Sequence, residues 1–411
     1  MRTAGFAFGF VAILGGALIA APGLTLVGLL AVFATFVTEL WSRYGLRSLR
    51  YDRRLERDRA VWGDELALEV SVWNDKALPL AWLRVDDFAT DGVVVREKPL
   101  VPSTMPGFGV MTTSWAIGWF ERVTRHLTIY ADRRGVFSFG PVRLSVADLF
   151  GRGAATEEHE DPRTFIVRPR SVPVRHAGSH RAPLGSLRSR SGLFEDPSLF
   201  AGVRPYQPGD PLRRVHWRAT ARTGAPVSKR FDPSRAREVL IALDVQTSEG
   251  PHWALHYDDE LVESLMVAAA SLARDALAGG ASVGLAAAAY SRRVERFVLV
   301  APRAGQDQLA AVADVLGRLS EVASAPFEHL LTHVPRAVGP GTQVVVVTAR
   351  DPSPYLAALR RLDRSGFPVE LIGLGARGVS AVSRARAFGL TASEASLTPD
   401  WRTSDALVLA G

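Results

Sequence analysis

The chain has 411 residues, 47% of them hydrophobic, a net charge of +7 and no cysteine. That length implies two or three domains, and the lack of thiols excludes disulfides, thiolate zinc sites and cysteine nucleophiles. The positive charge is local: residues 168–237 hold fifteen Arg or Lys against four Asp or Glu, so the remainder is slightly acidic.

Residues 3–38 contain no charged side chain. One helix of that length would run about 54 Å, well beyond a hydrocarbon core of about 30 Å. Pro22-Gly23 interrupts the run, which predicts two spans of roughly 18 residues each joined by a very tight turn. Trp41 and Tyr44 fall where interfacial aromatics belong. Arg43, Arg47, Arg50, Arg53, Arg54, Arg57 and Arg59 follow, and Arg2 precedes, so the positive-inside rule places both ends and the soluble bulk in the cytoplasm. A cleaved leader ending near Ala21 is the alternative. It is disfavoured by its lone N-terminal charge and by the second apolar stretch behind it.

From about residue 61 to 149 the pattern is β. Strands are expected at 66–73, 83–87, 93–97, 113–119, 123–131 and 136–139, with Gly, Pro and Asn between them, which suggests an all-β sandwich-like domain over 42–165. Residues 166–234 form a basic segment. From 235 to 411 strands alternate with helices. Near-continuous apolar strands are expected at 238–245 and 342–348, with others at 282–289, 296–300 and 369–374. Helices are expected at 258–278, 306–322, 326–338 and 355–365. This alternation implies an α/β doubly wound sheet, whose sites lie beyond the C-terminal strand ends. The tail from 375 is expected to add a helix or two and an edge strand.

The densest chemistry lies in the basic segment, where Tyr206, Gly209, Asp210, Arg213, His216, Trp217 and Arg222 fall close together. Pro208-Gly209-Asp210-Pro211 is turn chemistry, and Asp210 is placed to cap amides or to pair with Arg213, Arg214 or Arg222. Asp210 and His216 would suit an acid/base pair of a hydrolase. Arg218, Arg222, Lys229 and Arg230 with a stacking Trp217 would suit nucleic acid. The third reading is a structural lock or an interface for a partner. Neither GxSxG nor a phosphate loop occurs, and no nucleophile is recognisable, which favours the third.

Past the first buried strand, Asp244 and Ser248 could direct oxygens at a hard cation such as magnesium, with Thr348 or Asp351 completing the set, although Gln246 stands where another oxygen ligand is expected. Three i, i+4 histidine pairs occur, His176/His180, His252/His256 and His329/His333. None has the HExxH signature, and arginines crowd them, so no zinc site is expected.

The run from Gly202 to Trp217, continuing to Ala221-Arg222-Thr223-Gly224, resembles the signature of the bacterial and archaeal family called domain of unknown function 58. So do Arg133 to Pro141 with Asp148-Leu149-Phe150-Gly151, and Ile166-Val167-Arg168-Pro169-Arg170. The resemblance implies a C-terminal domain similar to the von Willebrand factor A fold behind a β-sandwich-like region and a transmembrane hairpin over 1–41. It implies no enzymatic activity, and a role as a membrane-anchored adaptor or chaperone-like partner of a MoxR-type AAA+ ATPase, with a transglutaminase-like membrane protein as a further partner. No nucleic acid is expected. The A-domain metal motif Asp-x-Ser-x-Ser falls on Asp244, Gln246 and Ser248, and Gln246 departs from it.

Overall fold

The computed structural model describes residues 2–147, 153–177, 200–207, 210, 215–231, 237–253, 256–291 and 296–411. The chain divides into two compact units, Met1–Arg168 and Pro169–Gly411.

The first unit opens with α1 (Arg2–Leu18) and α2 (Pro22–Tyr44). Proline at the first position of α2 has no amide to leave unpaired, which suits the restart after the turn. The expected equal spans are unequal here. α1 is a 17-residue apolar helix, whereas α2, at 23 residues or about 34 Å, is long and apolar enough to cross a membrane. The two pack antiparallel through glycines: a Cβ on Gly28 would fall 2.7 Å from the Gly9 carbonyl oxygen, and one on Gly16 2.6 Å from the Thr25 nitrogen. Thr25, Thr35 and Thr38 donate their hydroxyls to carbonyls one turn back.

Eleven strands follow: β1 (Leu49–Leu55), β2 (Arg59–Val61), β3 (Glu65–Asn74), β4 (Leu80–Thr90), β5 (Val94–Val95), β6 (Val101–Pro102), β7 (Phe108–Ile117), β8 (Arg122–Tyr130), β9 (Gly135–Ala147), β10 (Gly153–His159) and β11 (Arg163–Arg168). They form one sheet in the order β1-β3-β8-β5 and another in the order β2-β11-β9-β4-β7-β6, with β10 on β9. Alternate residues of each, such as Leu66, Leu68, Val70 and Val72 from β3 and Leu83, Val85, Leu144 and Phe165 from the other sheet, close one shared core.

Of the arginine-rich stretch read above as a cationic flank, Arg50, Arg53 and Arg54 belong to the strand β1. Six of the seven arginines in that stretch are exposed, but Arg53 is buried. Its Nη1 pairs with Asp87 at 2.7 Å and its Nη2 donates to the Asp161 carbonyl at 2.5 Å. Tyr51 donates its hydroxyl to the same Asp87 oxygen at 2.7 Å. Burial raises the Asp87 carboxyl above its ordinary value, even against the Arg53 charge.

The second unit contains β12 (Val174–Ala177), β13 (Phe200–Pro205), α3 (Trp217–Thr223), β14 (Val227–Phe231), β15 (Glu238–Leu243), α4 (Asp259–Ala278), β16 (Ser282–Ala287), β17 (Val298–Arg303), α5 (Gln306–Arg318), α6 (Phe327–Ala337), β18 (Gln343–Thr348), α7 (Leu356–Arg364), β19 (Val369–Leu374), α8 (Gly375–Ala387), β20 (Thr391–Leu397) and β21 (Leu407–Ala410). Its main sheet runs β12-β21-β20-β19-β18-β15-β16-β17. The five strands from β20 to β16 are mutually parallel, β17 runs antiparallel to β16 and β21 to β20, and β12 lies parallel to β21. One face carries α6, α7 and α8, whose Leu331, Leu359 and Ala381 pack on Leu240, Val344 and Leu371. Alternation turns Val239, Ile241 and Val345 to the other face, which α4 covers. In the tail, the strand expected at the edge is instead two strands, β20 and β21, lying inside the sheet, and β12 takes the edge.

Candidate functional site

Two polar constellations in the second unit take up most of the residues singled out from the sequence. The first is built on the two-stranded sheet of β13 and β14, which pair antiparallel from Phe200↔Phe231 to Pro205↔Val227. The chain between them returns through Val215, which bridges to Ser228, and then forms α3. Asp210 closes this excursion. Its Oδ1 accepts from Arg204 Nη2 at 2.6 Å, and its Oδ2 accepts from the Gln207 amide at 3.1 Å and the Ser228 hydroxyl at 2.9 Å. Tyr206 donates its hydroxyl to the Asp210 carbonyl at 3.3 Å. The Arg204 guanidinium, with the Gln207 amide, holds the carboxyl below its ordinary 3.8.

Asp210 was expected to pair with Arg213, Arg214 or Arg222. Arg204 is its partner, and Arg213, Arg214 and Gly209 lie outside the described residues. His216 is the N-cap of α3: its Nδ1 accepts the Ala219 amide at 3.1 Å. Accepting there requires a neutral ring with its proton on Nε2. Gly224 ends α3 in the left-handed conformation, at φ +68°. Trp217 opens the helix 67% exposed, and Arg218 and Arg222, one turn apart on a common face, are exposed as well.

The second constellation sits past the C-terminal ends of β15 and β18. Asp244, Thr348, Arg350 and Tyr355 are all buried. Asp244 Oδ2 accepts from Arg350 Nε at 2.8 Å, from the Tyr355 hydroxyl at 3.1 Å and from Thr348 Oγ1 at 3.3 Å. Burial and then the Asp244 charge push the Tyr355 phenol well above 10. Burial alone would lower the Arg350 guanidinium, but the Asp244 carboxylate outweighs it and leaves the group above its ordinary value.

Of the oxygens expected around a cation, Thr348 reaches Asp244, whereas the Ser248 hydroxyl donates to the His256 carbonyl. Gln246 turns its amide to the carbonyls of Ser248 and Gly250, at 3.1 and 2.9 Å. Both Asp244 oxygens are engaged, Oδ2 by the Arg350 guanidinium and Oδ1 by the Gln246 amide at 3.3 Å, and a guanidinium on the carboxylate competes with a divalent cation there. Asp351 is engaged elsewhere, with the Ser353 amide at 3.0 Å and with Arg384. Among the described residues no three His, Asp or Glu side chains are grouped to hold a metal. His329 and His333 share α6, but His329 Nδ1 faces Arg296 at 3.0 Å and His333 Nδ1 donates to the His329 carbonyl. His180 lies outside the described residues.

Sequence reasoning reached Asp244 and Thr348 but missed Arg350 and Tyr355, the groups that complete the cluster. The available signal was an arginine two residues behind a strand whose centre, 344–347, is wholly apolar.

Residues 202–353, which contain both constellations except Tyr355, match the family described as protein of unknown function DUF58. The uncharacterized protein YeaD of Bacillus subtilis (strain 168) is 24% identical over 257 residues, covering 62% of this chain and 60% of that one. The chain thus spans about 60% of that relative's length. Among solved structures, the sporulation control protein Spo0M of Bacillus subtilis is similar at 17% identity over 29% of this chain and 49% of that one, with a TM-score of 0.18. A cohesin module of a Clostridium perfringens family 33 glycoside hydrolase is similar at 8% identity over 28% and 96%, with a TM-score of 0.20. At such scores neither likeness bears on fold or function.

Proposed function

We propose that this chain is a membrane-anchored adaptor, held in a bacterial inner membrane by α1 and α2, with its soluble units in the cytoplasm, where it docks a MoxR-type AAA+ ATPase. The observation that carries this reading is how Asp210 and His216 are used. The carboxylate fastens Arg204, Gln207 and Ser228, and the imidazole caps α3. The pair that would suit acid/base chemistry therefore holds the segment in shape. What the segment turns to solvent is Trp217 beside Arg218 and Arg222, the residue types that anchor protein interfaces, and an acidic partner surface is their complement.

Support for a doubly wound, von Willebrand factor A-like second unit comes from the strand order β17-β16-β15-β18-β19-β20 with an antiparallel β17. The exposed arginines Arg43, Arg47 and Arg50 behind α2 support the cytoplasmic side, and the close α1–α2 contact supports a hairpin that crosses twice. A transglutaminase-like membrane protein is a further partner on this reading.

The test is affinity purification from solubilised membranes. Wild type recovers the ATPase, and Trp217→Ala with Arg222→Ala lowers recovery at least about thirtyfold, the effect of losing a hot spot of about 2 kcal/mol. Turnover of an ester or peptide by the wild type, abolished by His216→Asn in a folded protein, would replace the adaptor with a hydrolase. Steeply salt-dependent retardation of DNA or RNA would replace it with a nucleic-acid-binding protein.

A further inference from the structure

One end of the β unit carries aromatic side chains that no core absorbs. β3 ends at Asn74 and β7 at Ile117, and the turns that follow are tied together. The Phe120 amide donates to the Lys76 carbonyl at 3.1 Å, and Asn74 Nδ2 donates to the Gly118 carbonyl at 2.6 Å. At the tip, Trp119 and Phe120 are 69% and 71% exposed. Trp82, two residues into β4 and opposite Ala147 of β9, is 57% exposed. Phe120 is held at φ +49°, a region that bulky residues rarely occupy. A strained turn that presents two large aromatics to solvent is poor design for a hairpin surrounded by water.

The same end receives α2. Trp41 donates its indole N–H to the Pro79 carbonyl at 3.1 Å, the Asp75 amide donates to the Ser48 carbonyl at 2.9 Å, and Arg50 pairs with Asp75 at 2.9 Å. From Pro22 to Trp41 the helix rises about 29 Å, close to the thickness of a hydrocarbon core. Trp41 therefore marks the level at which α2 leaves the bilayer, and the turn bonded to it lies at that level. Arg43, Arg47 and Arg50 are exposed around the exit. This charge suits an anionic headgroup layer.

We propose that the 118–121 turn is a second membrane contact, with Trp119 and Phe120 inserted at the headgroup–acyl boundary of the bilayer that α2 crosses. The inference rests on reading α2 as a membrane span. It supplies an occupant for the exposed rings, because tryptophan and phenylalanine partition into that boundary, and continuity with α2 fixes which surface they meet.

The chain has no cysteine, so single labels can be placed directly. Nitroxides at Phe120→Cys, at Leu30→Cys in α2 and at Lys98→Cys, on an exposed loop of the same unit, are compared in full-length protein reconstituted into phosphatidylcholine–phosphatidylglycerol vesicles. The expected result is a deep position for Leu30, a shallow lipid position for Phe120 with an oxygen-to-nickel accessibility ratio several-fold above that of Lys98, and an aqueous position for Lys98. A Phe120 label as aqueous as Lys98, with Leu30 deep, overturns the second contact and leaves the span intact. An aqueous Leu30 label overturns both. Because Phe120→Cys removes one ring, a second measurement keeps it. Quenching of wild-type tryptophan emission by lipids brominated near the headgroup drops on Trp119→Phe if that ring is inserted, and is unchanged if it is not.

Discussion

Arg350 donates its Nε–H to Asp244 Oδ2 at 2.8 Å, and both side chains are almost wholly removed from solvent. The pair joins the ends of the adjacent strands β15 and β18, with Thr348 and Tyr355 as further donors to the same oxygen. Truncation to Arg350→Ala leaves a buried carboxylate with only neutral donors, the Thr348 and Tyr355 hydroxyls and the Gln246 amide, and should lower stability by about 3–5 kcal/mol in urea unfolding. Tyr355→Phe, which removes one neutral donor, should lower it by about 1 kcal/mol. The vacated space of Arg350→Ala beside Asp244 and Thr348 should accept a hard cation. Millimolar magnesium is expected to raise the melting temperature of that variant and to leave the wild type unchanged.

Arg53 and Asp87 form a comparable pair in the β unit, with Arg53 Nε and Asp87 Oδ2 lacking hydrogen-bond partners among the described residues. A pair so incompletely satisfied is costly to break and cheap to replace. Arg53→Met alone should destabilise by about 3–5 kcal/mol, and Arg53→Met with Asp87→Leu should recover most of that loss. A double-mutant cycle by chemical denaturation reads the difference, and additive losses would contradict it.

His216 separates a structural role from a catalytic one. Asparagine can accept the Ala219 amide as the imidazole does. Amide exchange at Ala219 should therefore speed up about fivefold in His216→Ala, the equivalent of a cap worth about 1 kcal/mol, and stay near wild type in His216→Asn. Equal acceleration in both variants would show that the ring does something other than cap.

The depressed Asp210 carboxyl gives the clasp a defined pH range. A carboxylate whose folded value lies below its unfolded one contributes stability above the unfolded value, near 3.9, and loses it as the pH falls through the folded one. The clasp should thus be insensitive across neutral pH and open only in strong acid. Carbon-detected titration of Asp210 should place its midpoint below that of an exposed aspartate. Arg204→Ala should move it upward.

The parallel strands could be read in the sequence because burial on two faces leaves an uninterrupted apolar run, as in Val344, Val345, Val346 and Val347. β1 could not, because a charged residue, Arg53, occupies its core-facing position, and the side chain that neutralises it arrives from β4. β12 is four residues with two polar side chains, too short to carry a period. At the sites, the turn around Asp210 was visible in its Pro-Gly chemistry. Its arginine partner was not, since Arg204 precedes the turn and reaches back across it. Asp244 was legible from its place behind a buried strand. Its counter-ion stands 106 positions away, and only the parallel pairing of β15 with β18 makes the two neighbours.

β21 lies between β20 and β12, and β12 is the first strand of its unit to be synthesised. The edge strand therefore has no place to dock until residues 407–410 have left the ribosome. The Asp210 clasp lies in sequence between β12 and β15, two strands of that same sheet, so one of the strands that flank it stays unpaired until β21 has been made. The segment that carries the exposed Trp217, Arg218 and Arg222 is thereby flanked on both sides by paired strands only once β21 is in place.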